Sequence, residues 1–124
     1  MRIVDTSFLY ALFSTTDDFH EKALREAGKL GSISIPAEIL SETLALIHYR
    51  QGFLAARTAG DWIRAQAGVE ICGASRDVLE KSWRFFTSSG GRLSYPDSIV
   101  LAWCQIRRSK PLAFDESILG RGHD

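Results

Sequence analysis

The feature that most constrains this chain is its opening stretch, residues 2–7, in which a short apolar run leads directly into a helix. Ile3 and Val4 are β-branched and apolar, which is typical of a buried strand. Asp5 follows them at once, and residues 8–13 have the apolar character of a packed helix. In open parallel sheets, ligands bind at such strand ends. Asp is also a common helix cap, and on Asp5 alone capping is the simpler interpretation.

The rest of the chain alternates between short strand patterns and helix patterns. Strands are predicted over residues 33–35, 69–72 and 112–114, and helices over residues 18–27, 36–51, 53–67, 76–88 and 96–108. Asp18 and Glu21 have the spacing of a capping box at the start of the first of these helices. The alternation predicts an α/β fold, namely a three-layer α/β/α sandwich with a mainly parallel central sheet. We expect residues 1–124 to form a single domain.

Composition limits the functional classes. The 15 basic and 15 acidic residues give zero net charge, whereas nucleic-acid-binding domains usually carry a basic excess, so RNA binding would depend on local patches. No apolar run has the length of a membrane span, and Asp5 interrupts the apolar N-terminal stretch, so no signal peptide is predicted. Cys72 and Cys104 are too few for a disulfide framework. Their apolar surroundings predict buried thiols in a cytoplasmic protein.

Several acidic residues adjoin segments that are predicted to be buried. Asp5 and Asp115 each follow a predicted strand, and Asp97 begins the apolar helix over residues 96–108. If the two strands are parallel neighbours, both of their carboxylates lie at the same edge of the sheet. Helix capping is an alternative, because Ser94 and Asp97 fit a capping box and Asp115 fits the cap of a short turn.

A further acid, Glu42, lies in the helix over residues 36–51. At about 100° per residue, three residues define the predicted buried face of this helix: Leu40, Leu44 and Ile47. Glu42 lies at the margin of that face, whereas Glu38 lies further toward solvent. A marginal glutamate usually extends to water. The same position allows its carboxylate to reach the edge of the sheet.

Carboxylates that are brought together repel one another unless a cation compensates their charge. Mg²⁺ and Mn²⁺ prefer carboxylate and water oxygens as ligands. His20, His48 and His123 are scattered and lack the spacing of a zinc site. A site made only of Asp and Glu indicates phosphate chemistry, because these ions commonly bind through carboxylates together with substrate phosphates.

Four segments, in this order and spacing, resemble the PIN-domain family and, more narrowly, VapC-type toxin ribonucleases of toxin–antitoxin pairs. The segments are residues 3–7, 35–43, 93–102 and 111–115, and the resemblance covers essentially the whole chain. It implies that the catalytic and metal-binding set consists of Asp5, Glu42, Asp97 and Asp115, with Ser7 and Thr6 in support. Pro96 departs from the family pattern, in which a small or polar residue usually precedes the third acid.

The resemblance implies metal-assisted hydrolysis of RNA that leaves a 5′-phosphate and a 3′-hydroxyl. One or two Mg²⁺ or Mn²⁺ ions would activate a water and stabilise the leaving oxygen. Asp5 and Asp97 are the expected direct ligands, Glu42 binds through water or accepts a proton, and Asp115 holds a second ion or a water. The resemblance further implies a homodimer that is bound by a small antitoxin protein. Apolar faces on the helices over residues 36–51 and 53–67 could support the dimer.

The residues that would contact RNA are less well defined. Two basic groups are candidates, namely Arg50, Arg57 and Arg64, and then Arg107, Arg108 and Lys110. A solvated surface is the simpler interpretation of both groups. Trp62 and Tyr95 are candidates for base stacking, whereas Trp103 is better suited to the core. Two alternatives to a toxin stay open, namely a housekeeping RNA-processing nuclease of the same fold and a non-enzymatic interaction module.

Overall fold

The computed structural model describes residues 1–114, in which parallel strands alternate with helices. The elements are β1 (Arg2–Val4), α1 (Thr6–Phe13), α2 (His20–Gly28), β2 (Ile33–Pro36), α3 (Ala37–Gln51), α4 (Phe53–Ala65), β3 (Val69–Cys72), α5 (Arg76–Ser88), α6 (Tyr95–Arg107) and β4 (Pro111–Leu112). The strands form one sheet in the order β3-β2-β1-β4, and every described pair of neighbours is parallel. The predicted α/β fold with a parallel central sheet is confirmed.

The strand order determines where the helices lie. From β1 the chain moves outward to β2 and β3, and it then returns past β1 to β4. Because crossovers between parallel strands are right-handed, the first two place α1–α4 on one face of the sheet and the third places α5 and α6 on the other. The packing agrees, since α3 contacts α1 and α4 while α5 contacts α6. The direction of strand order reverses between β1 and β4, where open parallel sheets bind ligands.

Strand β1 is central and buried. Ile3 and Val4 are inaccessible to solvent, and Val4 pairs with Leu112 of β4. The pairing extends one residue further, because the Asp5 N–H donates to the Leu112 carbonyl at 3.2 Å. Strand β4 is shorter than predicted and does not reach Phe114. The two strands therefore stay paired up to the residue that carries the first carboxylate.

The start of α2 differs from the prediction. The helix begins at His20, and Phe19 precedes it without a side-chain cap. The capping box of Asp18 and Glu21 is therefore wrong. Asp17 satisfies the backbone instead, because its Oδ1 accepts a hydrogen bond from the Phe19 N–H at 2.9 Å.

The buried face of α3 is rotated relative to the prediction. Its buried residues are Ile39, Thr43 and Ile47, whereas Leu40 and Leu44 are half-buried. Glu38 is half-buried rather than directed to solvent, and its Oε1 is buried. The rotation follows from packing on two sides, because α3 contacts both α1 and α4.

The core contains Trp103 and the two cysteines, which were expected to be buried, and all three belong to the main hydrophobic cluster. Burial raises the pKa of the Cys72 thiol to about 11 and that of the Cys104 thiol to about 12, so both thiols are protonated at neutral pH. No helix within residues 1–114 is long and apolar enough to cross a membrane.

Candidate active site at the carboxyl edge of the sheet

Asp5 lies where β1 ends and α1 begins, and it is only 2% exposed. It caps α1, because its Oδ1 accepts a hydrogen bond from the Phe8 N–H at 2.9 Å. The Ser7 hydroxyl also donates to this carboxylate and lies 2.8 Å from Oδ1 and 2.9 Å from Oδ2. A buried carboxylate requires such partners. The capping interpretation is confirmed, and the hydrogen bonds fix the orientation of the carboxylate at the carboxyl edge of the sheet.

Ser7 connects this carboxylate to the end of β4. Its Oγ accepts a hydrogen bond from the Phe114 N–H at 2.9 Å while the hydroxyl donates to Asp5. One side chain thus joins the first acid to the residue that precedes the predicted fourth acid. Asp115 itself lies outside the described residues.

Glu42 reaches the same junction from α3. It is half-buried, and its Oε1 accepts a hydrogen bond from the Thr6 hydroxyl. Thr6 is the first residue of α1 and follows Asp5 directly. The glutamate therefore turns toward α1 instead of extending into water, and it brings a second carboxylate to the segment that carries Asp5.

Asp97 lies in the first turn of α6 and is half-buried. Its N–H donates to the hydroxyl of Ser94, the N-cap, at 3.1 Å. Because α6 crosses back over the sheet before β4, its first turn lies at the carboxyl edge of the strands. Pro96 is the second residue of the helix, where no intrahelical N–H bond is needed. The departure from the family pattern at Pro96 therefore does not disturb the start of α6.

The described acids supply only oxygen ligands, which suit Mg²⁺ or Mn²⁺. Within residues 1–114, no three His, Cys, Asp or Glu side chains approach closely enough to hold a metal ion together. Glu42 is hydrogen-bonded to Thr6, the residue next to Asp5, and α6 presents Asp97 at the same edge of the sheet. The donor chemistry fits a hard divalent cation, whereas the described carboxylates do not complete a coordination shell.

The basic residues considered in the sequence make contacts within the fold. The Arg107 guanidinium lies 4.7 Å from the Trp103 ring centroid and pairs with Glu70. Its hydrogen bond lowers the pKa of the Glu70 carboxyl below the usual value. Arg57 pairs with Asp61 on the surface of α4 at 3.7 Å. These contacts favour a structural or solvated role over an RNA-binding role for both arginines.

An aromatic stack near the acids was not predicted from the sequence. Phe19 and Phe114 stack with ring centroids 4.6 Å apart and an interplanar angle of 11°. Phe19 was not considered because its partner, Phe114, is distant in the chain. Of the predicted stacking residues, Trp62 packs edge-on against Phe13 and Tyr95 packs edge-on against two neighbouring rings of α5.

An apolar groove lies at the other end of α1, between α1, α2 and α4. Its volume is about 970 Å³, and its lining includes Leu12, Phe13, Leu24, Leu54 and Trp62. Leu54 and Trp62 are 74% and 52% exposed, which is unusual for large apolar side chains that lie close together.

Comparisons with known proteins agree with this architecture. The family model described as PIN domain matches residues 2–121. No protein with a curated description matches the chain by sequence.

Solved structures match over almost the whole chain. VapC20 of Mycobacterium tuberculosis, described as a Sarcin-Ricin loop cleaving toxin, is 28% identical with a TM-score of 0.89, and the match covers 98% of this chain and 95% of that one. A toxin–antitoxin complex from Klebsiella pneumoniae is 21% identical with a TM-score of 0.69, covering 93% and 87%. FitAcB from Neisseria gonorrhoeae is 11% identical with a TM-score of 0.74, covering 99% and 94%. The last two similarities concern the fold alone.

Proposed function

Because the chain belongs to the PIN domain family, we propose that it is an endoribonuclease that acts as the toxin of a toxin–antitoxin pair. One observation carries this proposal: Asp5 is a buried carboxylate whose orientation is fixed by Ser7 and Phe8. It lies at the carboxyl ends of the strands where strand order reverses, as ligand-binding residues do in such sheets. The similarity to VapC20, whose description is that of a Sarcin-Ricin loop cleaving toxin, supports RNA as the substrate class.

The proposed cofactor is Mg²⁺ or Mn²⁺, held by Asp5, Glu42, Asp97 and Asp115. Such an ion supplies an activated water and stabilisation of the leaving oxygen. The support from this chain is an all-oxygen donor set at one edge of the sheet, with the predicted fourth ligand one residue beyond Phe114.

The surrounding residues would position the acids. Ser7 holds the Asp5 carboxylate in one orientation, and Thr6 holds Glu42 toward the same junction. Such supporting hydrogen bonds orient ligands and maintain their charged form. Glu42 is then the candidate proton acceptor, since it approaches from α3 on the margin of the site. The N-terminal ends of α1 and α6 add partial positive charge that favours a phosphate.

We further propose that a small antitoxin protein binds the apolar groove. One matching structure is a toxin–antitoxin complex, and the groove exposes Leu54 and Trp62. A partner with an apolar helix face fits such a surface, because burial of large side chains drives association. The proposal also includes a single domain over residues 1–124, assembly as a homodimer and a cytoplasmic location.

The proposed function is tested by cleavage of a panel of structured RNAs, including a Sarcin-Ricin loop RNA. Wild-type protein is incubated with Mg²⁺, with Mn²⁺ or with excess chelator, and the ends of the products are mapped. We expect metal-dependent cleavage at a small number of sites that leaves 5′-phosphates. Equal cleavage in chelator would contradict the metal dependence, and no cleavage of any RNA would contradict the nuclease.

A further inference from the structure

Three phenylalanine rings form a series from the core to the surface beside Asp5. Phe8 is inaccessible to solvent, and its ring centroid is 5.6 Å from that of Phe114. Phe114 in turn stacks on Phe19 at 4.6 Å. Phe19 is 45% exposed, so one face of its ring is covered by Phe114 while much of the remainder is open to solvent. The series therefore ends in a supported aromatic surface.

The position of this surface relative to the acids follows from the hydrogen bonds. The Phe114 N–H donates to Ser7, and Ser7 donates to the Asp5 carboxylate. Phe8 donates its own N–H to the same carboxylate. Two of the three stacked residues are thus bonded to Asp5 directly or through one side chain, which places the Phe19 ring at the rim of the candidate active site.

A cation accompanies the rings. The Lys22 ammonium lies 5.7 Å from the Phe114 ring centroid, and Lys22 follows Phe19 by one turn of α2. Asp17 bonds the backbone of this segment, because its Oδ1 accepts a hydrogen bond from the Phe19 N–H, and Asp17 and Asp18 also line a polar cavity together with Tyr10. Lys22 places a positive charge beside the stacked rings and has no ion pair within residues 1–114, whereas Arg107 and Arg57 are paired with carboxylates.

We propose that Phe19 and Lys22 form a subsite for an unpaired nucleotide of the RNA next to the bond that is cleaved. The subsite rests on the proposed nuclease function. Phe19 stacks on the base and Lys22 contacts the adjoining phosphate. A nucleotide is the occupant because it combines a flat aromatic group with a negative charge, and stacking on an aromatic side chain requires a base that is not paired in a helix.

The stacking contact is tested with an RNA that the wild type cleaves, in which each base near the cleavage site is removed in turn. At one position next to the cleaved bond, loss of the base should lower wild-type kcat/KM about tenfold, which is the typical contribution of one stacked base. Phe19→Leu should lower kcat/KM on the intact RNA by a similar factor and should be insensitive to loss of that base. Phe19→Tyr, which keeps the aromatic ring, should behave as wild type.

Trp83→Leu is the matched control, because Trp83 is a 57% exposed aromatic residue on α5. It should cleave intact and abasic RNA as the wild type does. If Trp83→Leu rather than Phe19→Leu removes the sensitivity to the base, the subsite is on the other side of the molecule and the proposal is wrong. Thermal melting of each variant separates a loss of contact from a loss of folding.

Lys22 is tested by the salt dependence of RNA binding in the presence of chelator, which prevents cleavage. Lys22→Gln should reduce the slope of log K against log salt concentration by about 0.7, the value for one phosphate of a single strand. Lys29→Gln, at the other end of α2 and paired with Glu26, changes the net charge equally and should leave the slope unchanged. Equal slopes for wild type and Lys22→Gln would exclude the phosphate contact.

The outcomes separate the two proposals. A wild type that cleaves no RNA contradicts the nuclease and the subsite together. A wild type that cleaves RNA, with Phe19→Leu responding to base removal as the wild type does, contradicts the subsite alone and leaves the nuclease standing.

Discussion

The two ends of α1 form contrasting surfaces. At its first turn, Asp5, Thr6 and Ser7 form a network of directional hydrogen bonds with α3 and with the end of β4. At its last turn, Leu12 and Phe13 line the apolar groove. The helix has eight residues and spans about 12 Å. The candidate active site and the apolar groove therefore lie at opposite ends of one helix. The active site depends on directional hydrogen bonds, whereas the groove depends on apolar contacts.

That difference has an energetic basis. Hydrogen bonds to a buried carboxylate depend on the position of single atoms, so loss of one donor leaves a buried charge poorly compensated. The groove depends on apolar area, so its contribution is spread over several side chains. Substitutions at the first end should therefore affect cleavage with little effect on a partner, and substitutions at the other end should do the reverse.

The largest expected effect is that of Asp5→Asn. The amide keeps the shape of the side chain and is itself a good helix cap, so the fold should persist. Loss of the negative charge should reduce metal-dependent RNA cleavage about a thousandfold or more. Cleavage is measured with labelled RNA and folding by thermal melting. Asp61→Asn, on the surface of α4, is the matched control. If the Asp5→Asn protein is active, Asp5 is not required for cleavage.

Ser7→Ala should have the next largest effect. It removes the donor to Asp5 and the acceptor for the Phe114 N–H. We expect activity to fall about ten- to a hundredfold, as is typical when a residue that supports a metal ligand is lost. Ser7→Thr keeps the hydroxyl and should recover most of the activity. Full activity of Ser7→Ala would show that RNA cleavage does not depend on the hydrogen bond from this hydroxyl to Asp5.

Leu54→Glu tests whether the apolar groove binds a partner protein. Leu54 is largely exposed, so the fold should tolerate the charge. A charge in an apolar interface should weaken binding of the proposed antitoxin by roughly 30-fold, the effect of about 2 kcal/mol at a central contact. RNA cleavage should be unchanged. Leu79→Glu on α5 is the control, and a loss of cleavage in Leu54→Glu would show that the two surfaces are not separable.

The smallest expected effect is a change in thermal stability. Millimolar Mn²⁺ should raise the melting temperature by about 5 °C, because a bound cation relieves repulsion between carboxylates in the folded state. Asp5→Asn should lose most of this shift, whereas Leu54→Glu should retain it. An equal shift in melting temperature in both variants would indicate that the metal binds away from Asp5.

The sequence was sufficient to predict the order of strands and helices and the end of β1, because residue patterns report local structure and burial. It identified Asp5 as a helix cap and placed Glu42 at the margin of the buried face of α3. It did not identify the contact of Glu42 with Thr6, or the contact of Ser7 with Phe114, because both join residues that are distant in the chain. Phe19 was missed for the same reason, since its partner, Phe114, lies after β4 and is distant in the chain.

The capping box at Asp18 was wrong because the chain makes an extra turn before α2. The Asp17 N–H donates to the Ser14 carbonyl and the His20 N–H donates to the Asp17 carbonyl. This local alternative delays the helix, and spacing alone does not distinguish it from a capping box.

The contact between Ser7 and Phe114 spans 107 positions in the sequence, and the central strand β1 pairs with β4, the last strand described. The hydrogen bonds that join the Asp5 junction to β4 and to Phe114 can therefore form only after residues 111–114 have been synthesised. During translation the unfinished protein lacks the arrangement on which cleavage would depend. In the proposed nuclease, cleavage would therefore begin only after β4 has left the ribosome exit tunnel.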